Sequence, residues 1–246
     1  PAPTLLLLAM AGVDTLTTEP YCRVGRMLYA QGWNAVSLDL PCHGADRRVG
    51  EPPELAGWAA RTAAGEDIVS VFQNRANGVV EHLVATGIAD PARIAAAGTS
   101  RGGFMAFQAA ADNPRIRAVA AFAPVTDLRA LSEFAGQEDS PLVRRSALVN
   151  AAASLAERAA WITIGHADTR VGTDRAAAFA EALNAAAAAR GLTPCVILHV
   201  LPIPGHSSYP EWHDEAAAWL RSAGSIPPPT PTHPGTPPDP NEGVGP

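Results

Sequence analysis

The sequence predicts an α/β fold with a doubly wound, mainly parallel sheet, helices on both faces and a short helical insertion. Two patterns indicate this fold. Apolar runs of strand length alternate with segments of helical periodicity, as in successive crossover units. The first run, Thr4 to Met10, is continuously apolar apart from Thr4, which is typical of a strand covered by helices on both faces. In such folds ligands bind beyond the carboxyl ends of the strands, so the residues that follow each run are candidates for a site.

The elements follow from periodicity and from glycine or proline stops. Apolar runs give the strands, and apolar side chains three or four residues apart give the helices. The predicted strands cover 4–10, 34–40, 93–97, 118–122, 161–165 and 195–201, and the predicted helices cover 21–31, 66–86, 104–111, 173–190 and 210–220.

Three further segments complete the expected organisation. Residues 45–65 are rich in charge, glycine and proline and are predicted to form a long surface excursion. Residues 128–158 have less regular periodicity, which predicts a short, mostly helical insertion over one end of the sheet. From residue 225 to 246 the composition shifts to proline, threonine and glycine, so a disordered tail or linker is expected after one catalytic domain over 1–224.

Composition narrows the range of functions. A chain of 246 residues can bury a substantial single core. Its net charge of −6 and the lack of a basic block argue against nucleic acid as a partner and favour a small, neutral or weakly polar substrate. The motifs described below predict that this small molecule is an acyl substrate. The three cysteines, Cys22, Cys42 and Cys195, are widely spaced and odd in number, so neither a disulfide framework nor a zinc site is expected.

No sequence signal places the chain in a membrane. A membrane span needs about 18 apolar residues in a row, and no run reaches that length. The basic, apolar, small-residue order of a signal peptide is also missing, which favours a cytoplasmic location. No pattern in the sequence specifies an oligomeric state.

The hexapeptide Gly98–Gly103 (Gly-Thr-Ser-Arg-Gly-Gly) lies between a predicted strand and a predicted helix. A G-x-S-x-G turn in this context holds a serine in a strained conformation, with small residues where strand and helix backbones approach each other. Ser100 is therefore the candidate nucleophile. The alternative is a glycine-rich turn with an incidental serine.

A serine hydroxyl needs a base within hydrogen-bond reach, and an acid that orients the base. Among seven histidines, His206 follows the last strand in a Pro-Gly loop and is the favoured base. His43 and His166 also lie at strand ends and remain possible site-lining residues. The other four are interpreted as structural or as part of the tail.

Two aspartates compete to orient the base. Asp168 follows the penultimate strand and gives the chain order Ser, Asp, His that is expected of hydrolases of this kind. Asp127 follows the strand before it, but it also precedes a predicted helix that it would cap. Asp168 is therefore favoured.

The oxyanion of a tetrahedral intermediate needs two N–H donors. One is expected to be the backbone N–H of Arg101, the residue after the nucleophile. The second is expected from the loop after the first strand, at Gly12 or Val13.

These motifs together resemble the α/β-hydrolase superfamily, in particular dienelactone hydrolase and the catalytic domains of the prolyl oligopeptidase type. The resemblance rests on Gly98–Gly103, Gly165–Val171 (Gly-His-Ala-Asp-Thr-Arg-Val) and Pro204–His206, and it extends from about Thr4 to Leu220. It implies a triad of Ser100, Asp168 and His206, with no metal and no organic cofactor. Two departures are noted: Ala11-Gly12 stands where many relatives carry His-Gly, and the sequence contains no long N-terminal domain that would restrict access to short peptides.

The predicted function is hydrolysis of a carboxylic ester or thioester through an acyl-enzyme. The alternatives are a peptidase of the prolyl oligopeptidase type, an acyltransferase, and an inactive hydrolase-fold binding module. An aminopeptidase would need acidic side chains that anchor a free amine, for which Asp14, Glu19 and Asp127 are the candidates. Apolar residues either roof the pocket or serve ordinary packing; these are Trp58, Phe134, Leu142, Val143, Leu148 and Trp212.

Overall fold

Six parallel strands form the central sheet of the computed structural model, which describes residues 1–223. The strands are β1 (Ala2–Leu8), β2 (Asn34–Val36), β3 (Ala89–Thr99), β4 (Ile116–Phe122), β5 (Ala159–Ala167) and β6 (Val196–Pro204). Their order across the sheet is β2-β1-β3-β4-β5-β6, and every neighbouring pair is parallel. The predicted parallel α/β fold is therefore confirmed, whereas the predicted tail lies outside the described residues.

Nine α-helices accompany the strands within residues 1–223. They are α1 (Gly12–Thr17), α2 (Arg23–Tyr29), α3 (Glu54–Ala63), α4 (Ile68–Ala85), α5 (Arg101–Asp112), α6 (Pro141–Ser146), α7 (Ala152–Leu155), α8 (Thr173–Ala189) and α9 (Pro210–Ala223).

The core has two parts, one on each face of the sheet. Because successive side chains of a strand point to opposite faces, Leu6 and Leu8 of β1 pack with α3, α4, α5 and α8, whereas Leu5 and Leu7 pack with α2 and α9. Helices thus cover both faces of the sheet. This double covering leaves the carboxyl ends of the strands as the edge where loops can build a site.

Residues 45–65 are not the surface excursion that the sequence predicts. They include α3, whose Trp58 is fully buried and donates a hydrogen bond from Nε1 to the carbonyl oxygen of Pro41 (2.6 Å). Arg61 on the same helix is also buried and binds Asp46 and Glu51, with N–O distances of 2.6 to 2.9 Å. The charged side chains, which in the sequence indicate a solvated loop, therefore form ion pairs with one another. These ion pairs hold the segment against the core.

The segment between β4 and β5 consists of short 3-10 helices together with α6 and α7. Its apolar residues Phe134, Val143 and Leu148 are buried in the core beside α3, α5 and α8. Ordinary packing therefore accounts for them.

None of the described helices is long and apolar enough to cross a bilayer. All three cysteines are free thiols; Cys22 and Cys42 are buried, and burial raises the pKa of Cys42 to about 12. This pKa keeps the Cys42 thiol protonated, so it is no candidate nucleophile.

Candidate active site

Ser100 lies between the end of β3 and the start of α5, with φ of +53° and ψ of −115°. Non-glycine residues seldom adopt positive φ, and such strain concentrates at functional sites. The turn is fixed by two backbone hydrogen bonds, because the N–H of Ser100 donates to Phe122 and its carbonyl oxygen accepts from Val125. The local geometry is the strand–turn–helix that the sequence predicts around this serine.

The turn requires glycine at Gly98 and Gly102, because backbones approach closely on both sides. A Cβ atom at Gly102 would lie 1.9 Å from the carbonyl oxygen of Leu8 in β1, and a Cβ atom at Gly98 would lie 2.3 Å from the carbonyl carbon of Gly102. No side chain fits at either separation. The two glycines therefore allow α5 to begin directly against the sheet.

His206 lies just beyond β6 and connects the other two predicted site residues. Its Nε2 atom is 3.0 Å from Oγ of Ser100, and its Nδ1 atom is 2.8 Å from Oδ2 of Asp168. Nδ1 bound to a carboxylate carries the proton, which leaves Nε2 as an acceptor toward the serine hydroxyl. The three side chains thus form a continuous hydrogen-bonded series.

The carboxylate of Asp168 is completely buried and firmly held. Its Oδ1 accepts hydrogen bonds from the backbone N–H groups of Arg170 (2.9 Å) and Val171 (3.2 Å), while the N–H of Asp168 donates to Oγ1 of Thr173 (3.1 Å). Oδ2 is then the oxygen available to His206. This arrangement fixes both the position of the carboxylate and the ring that binds it.

Asp127, the alternative acid, lies in a different environment. It forms ion pairs with Arg129 and Arg175, each at 2.6 Å, and caps the 3-10 helix Leu128–Ala130 through the N–H of Arg129. Burial by itself raises the pKa of Asp127, but the hydrogen bonds from Arg129 and the charge of Arg175 bring it below its usual range. Asp127 is therefore engaged in capping and ion pairing, and it makes no hydrogen bond to His206 among the described residues.

The other two candidate histidines do not contact Ser100. His43 is buried, its Nδ1 lies 2.8 Å from the carbonyl oxygen of Pro41, and burial lowers its pKa. His166 is exposed and lines a second cavity of about 540 Å³, whose lining also includes Arg129, Arg175 and Asp168.

His213 on α9 supports the histidine loop, a role that the sequence does not predict. Its ring is fully buried, stacks on Phe122 with 3.9 Å between centroids, and binds Oγ of Ser208 through Nε2 (2.9 Å). Ser208 is two residues after His206. Since the contact joins a helix to the loop, it restricts where the His206 ring can lie.

The backbone N–H groups that the sequence predicts as oxyanion donors lie in different surroundings. The N–H of Arg101 is the first of α5, at the positive end of the helix dipole. The N–H of Gly12, however, donates to Oδ1 of Asp39 (2.7 Å), and Val13 is 74% exposed. The Asp39 carboxylate thus accepts the Gly12 N–H that the sequence predicts as an oxyanion donor, whereas a donor role for Val13 stays a prediction.

Arg101 also binds through its side chain. Nε donates to the carbonyl oxygen of Ala9 (3.1 Å), and Nη1 forms an ion pair with Glu54 at 2.7 Å. This guanidinium ties the loop after β1 to the start of α3. It therefore helps to set the part of the cavity wall that Ala9 and Arg101 form beside Ser100.

The cavity at Ser100 has a volume of about 260 Å³. Its lining is mostly small or polar and contains two guanidinium groups but no carboxylate among the described residues. The lining residues are Ala9, Met10, Tyr21, Leu55, Thr99, Ser100, Arg101, Arg170, His206, Ser207 and Ser208. Trp58, Trp212 and the apolar residues of the insertion are not among them.

Metal-binding residues do not cluster in residues 1–223, where no group of three or more histidine, cysteine, aspartate or glutamate side chains is arranged to hold an ion.

A comparison with protein families matches residues 72–224, more than half of the chain, to the prolyl oligopeptidase family. The chain belongs to this family. It is accordingly a serine hydrolase with the α/β-hydrolase fold, as the resemblance implies. The matched region includes Ser100, Asp168 and His206. A search of curated protein sequences found no match.

Solved structures share the fold at low sequence identity. TT1662 from Thermus thermophilus has a TM-score of 0.70 and 20% identity, covering 92% of this chain and 91% of its own. Acetyl xylan esterase 1 from Thermoanaerobacterium sp. has a TM-score of 0.66 and 16% identity, covering 90% of this chain and 74% of its own. A puromycin-hydrolyzing peptidase from Mycobacterium tuberculosis has a TM-score of 0.67 and 18% identity, covering 92% of this chain and 35% of its own. This chain spans 31% to 35% of the length of the large peptidases that it matches.

Proposed function

We propose that this prolyl oligopeptidase family member is a serine esterase that cleaves a short carboxylic ester or thioester through an acyl-enzyme on Ser100. The observation that carries the proposal is the series in which Ser100 Oγ lies 3.0 Å from His206 Nε2, and His206 Nδ1 lies 2.8 Å from Asp168 Oδ2. This arrangement has the order and spacing of a nucleophile, its base and the acid that orients the base.

The reaction begins when Oγ of Ser100 attacks the substrate carbonyl carbon and its proton passes to Nε2 of His206. The negative charge moves to the carbonyl oxygen, toward which the N–H of Arg101 donates at the start of α5. When the intermediate collapses, the bond to the alcohol or thiol breaks and the leaving group takes the proton from Nε2. Water then attacks the acyl-enzyme by the same route and restores the free serine.

The size of the cavity supports a short acyl group. Its volume of about 260 Å³ is below the range of roughly 300–1,000 Å³ for pockets that enclose drug-sized ligands. The two guanidinium groups in its lining are neutralised from outside the cavity, Arg101 by Glu54 and Arg170 by Glu133.

The lining also favours an ester over a peptide with a free amino terminus. An amine needs an acidic anchor, and the described lining residues include no aspartate or glutamate. Glu19 pairs with Arg26, and Asp127 pairs with Arg129 and Arg175. The candidate anchors are therefore either paired elsewhere or absent from the lining.

Water access favours hydrolysis over acyl transfer. The side chain of His206 is 29% exposed, so water can reach the face of the acyl-enzyme where the base lies. A pure binding module would have no need for the complete hydrogen-bonded series at Ser100.

The test is a panel of p-nitrophenyl esters from acetyl to decanoyl, run beside aminoacyl p-nitroanilides, with Ser100→Ala as the blank. We expect kcat/KM to be highest for the acetyl or butyryl ester and to fall with chain length, while the anilides stay at the level of the blank. Faster cleavage of the anilides would instead identify a peptidase. Equal rates for the wild type and Ser100→Ala would rule out the esterase.

A further inference from the structure

The side chain of Arg158 is buried at the opposite end of the sheet from Ser100, and its guanidinium has no hydrogen-bond partner within the described part of the chain. It immediately precedes β5 and is 9% exposed. Its Nε atom is buried and unpartnered, and its nearest carboxylate oxygen, Oε2 of Glu157, is 3.9 Å from Nη1. A guanidinium has five N–H donors, and within residues 1–223 none of those of Arg158 has an acceptor at hydrogen-bond distance.

Two further arginines lie beside Arg158. Ala118 of β4 pairs with Ala159 of β5, so Arg117, the second residue of β4, is a neighbour of Arg158, which immediately precedes β5. Arg117 is exposed and forms no ion pair with a described residue. Arg190, at the end of α8, reaches the same Glu157 at 3.2 Å. Arg158 and Arg190 thus share the Glu157 carboxylate, and Arg117 has no ion-pair partner in the described chain, which leaves a local surplus of two positive charges.

This surplus is unfavourable unless something compensates it. Burial lowers the pKa of Arg158, the charge of Glu157 offsets part of this effect, and the charges of Arg117 and Arg190 lower the pKa further. An arginine nevertheless stays protonated in proteins. A buried guanidinium whose ion pair with Glu157 is as long as 3.9 Å and whose Nε has no acceptor within residues 1–223 is poorly compensated, and like charges on adjacent strands add to the destabilisation. The cluster therefore calls for an anion.

We propose that Arg117, Arg158 and Arg190 form a binding site for a small, doubly charged oxyanion, namely a phosphate group, free or esterified. The charge of the ligand matches the surplus of two. The planar fork of a guanidinium suits the oxygens of a phosphate better than a single-point contact does. The site lies at the amino ends of β4 and β5, whereas Ser100 follows the carboxyl end of β3, so it is separate from the candidate active site and does not depend on the proposed esterase function.

The test is thermal unfolding of the full chain at pH 7 in sodium phosphate and in sodium chloride of equal ionic strength. We expect phosphate to raise Tm by about 3 °C or more beyond chloride, with saturation as the concentration rises, because a ligand that binds only the folded state stabilises it. Glycerol 3-phosphate in place of inorganic phosphate distinguishes an esterified ligand from the free ion. A larger shift from the ester favours an esterified ligand.

Arg117→Ser is the informative variant, because Arg117 is exposed and its replacement leaves the core intact. We expect it to abolish most of the phosphate-specific shift. Arg47→Ser removes one charge from another exposed arginine without an ion pair in the described chain, and should keep the shift. The Arg158→Met variant should also lose the phosphate-specific shift in Tm. If that variant does not fold, the comparison of Arg117→Ser with Arg47→Ser tests the proposal. Equal stabilisation by phosphate and chloride, or equal shifts in these two variants, would overturn the proposal.

Discussion

The Nε2 atom of His206 lies 3.0 Å from Oγ of Ser100, although 106 positions separate the two residues in the chain. The contact arises because β3 and β6 are parallel strands of one sheet, so the residues that follow them meet at the same edge. Asp168 follows β5, the strand next to β6, and completes the series from the same edge.

Replacing Asp168 by asparagine should reverse the tautomer of His206. Oδ1 of Asp168 accepts two backbone N–H groups, so the asparagine carbonyl would take that place and its NH₂ group would face Nδ1. The ring would then carry its proton on Nε2 and be unable to accept the serine proton. We expect kcat to fall about 10³- to 10⁴-fold, as measured with a short p-nitrophenyl ester.

The thermal stability of Asp168→Asn serves as its control, because the shape of the side chain is kept. A variant with native-like circular dichroism and near wild-type kcat would show that Asp168 does not orient the base.

The two glycine positions Gly102 and Gly78 should respond oppositely to alanine. At Gly102 the added Cβ would meet the Leu8 carbonyl oxygen at 1.9 Å, so we expect a loss of about 3 kcal/mol or more in the free energy of unfolding. At Gly78, in α4, no atom lies within 4 Å of the added Cβ. Alanine there should stabilise the protein by about 0.5–1 kcal/mol, because it favours the helix.

Denaturant unfolding of the two alanine variants measures both effects. If Gly102→Ala were as stable as Gly78→Ala, the close contact between α5 and β1 would not exist in solution.

The side chain of Arg101 should influence turnover through the loop after β1. Arg101→Met removes the hydrogen bond to Ala9 and the ion pair with Glu54, so the cavity wall is less well fixed. We expect kcat to fall on the order of tenfold with a smaller change in KM. Glu54→Gln keeps the bond to Ala9 and should change kcat by less than about threefold.

Steady-state kinetics on folded Arg101→Met and Glu54→Gln separates these effects. Equal losses of kcat in the two variants would mean that the ion pair, and not the bond to Ala9, holds the loop.

His213 should make the protein sensitive to mild acid. Burial lowers its pKa to about 4 in the folded protein, whereas an unfolded histidine has a pKa of about 6.5. Between pH 6.5 and pH 4 the unfolded chain therefore binds a proton that the folded chain does not, and stability falls as the pH falls. The loss from this group approaches about 3 kcal/mol at pH 4.

Urea unfolding at pH 7 and at pH 4.5 compares the wild type with His213→Gln, which cannot titrate in this range. The variant should lose less stability between the two pH values than the wild type does. The same loss in both proteins would show that His213 is protonated in the folded state.

The sequence predicts the existence and order of the six strands because each contains a short apolar run closed by a glycine or proline stop, although β2 ends at Val36 and not at the predicted residue 40. The same runs place Ser100, Asp168 and His206 at strand ends. It fails at 45–65, where polar composition conceals α3. Trp58 and Arg61 are buried there because Pro41, Asp46 and Glu51, all from the preceding loop, supply their partners. Such pairing depends on tertiary contacts that composition does not encode.

The surroundings of the predicted oxyanion donors also depend on tertiary contacts that the sequence pattern does not show. The turn motif predicts a helix after Ser100, although α5 begins at Arg101 and not at the predicted residue 104. The bond between Gly12 and Asp39, however, joins residues 27 positions apart. His213 likewise has a helical pattern that gives no sign of its contact with Ser208.

The most direct test of the central claim is labelling with a fluorophosphonate, followed by peptide mass spectrometry. We predict one adduct per chain on Ser100, none in Ser100→Ala, and strongly slowed labelling in His206→Ala, because the base then no longer accepts the serine proton. A folded wild-type protein that remains unlabelled, or that carries the adduct on another residue, would contradict the account.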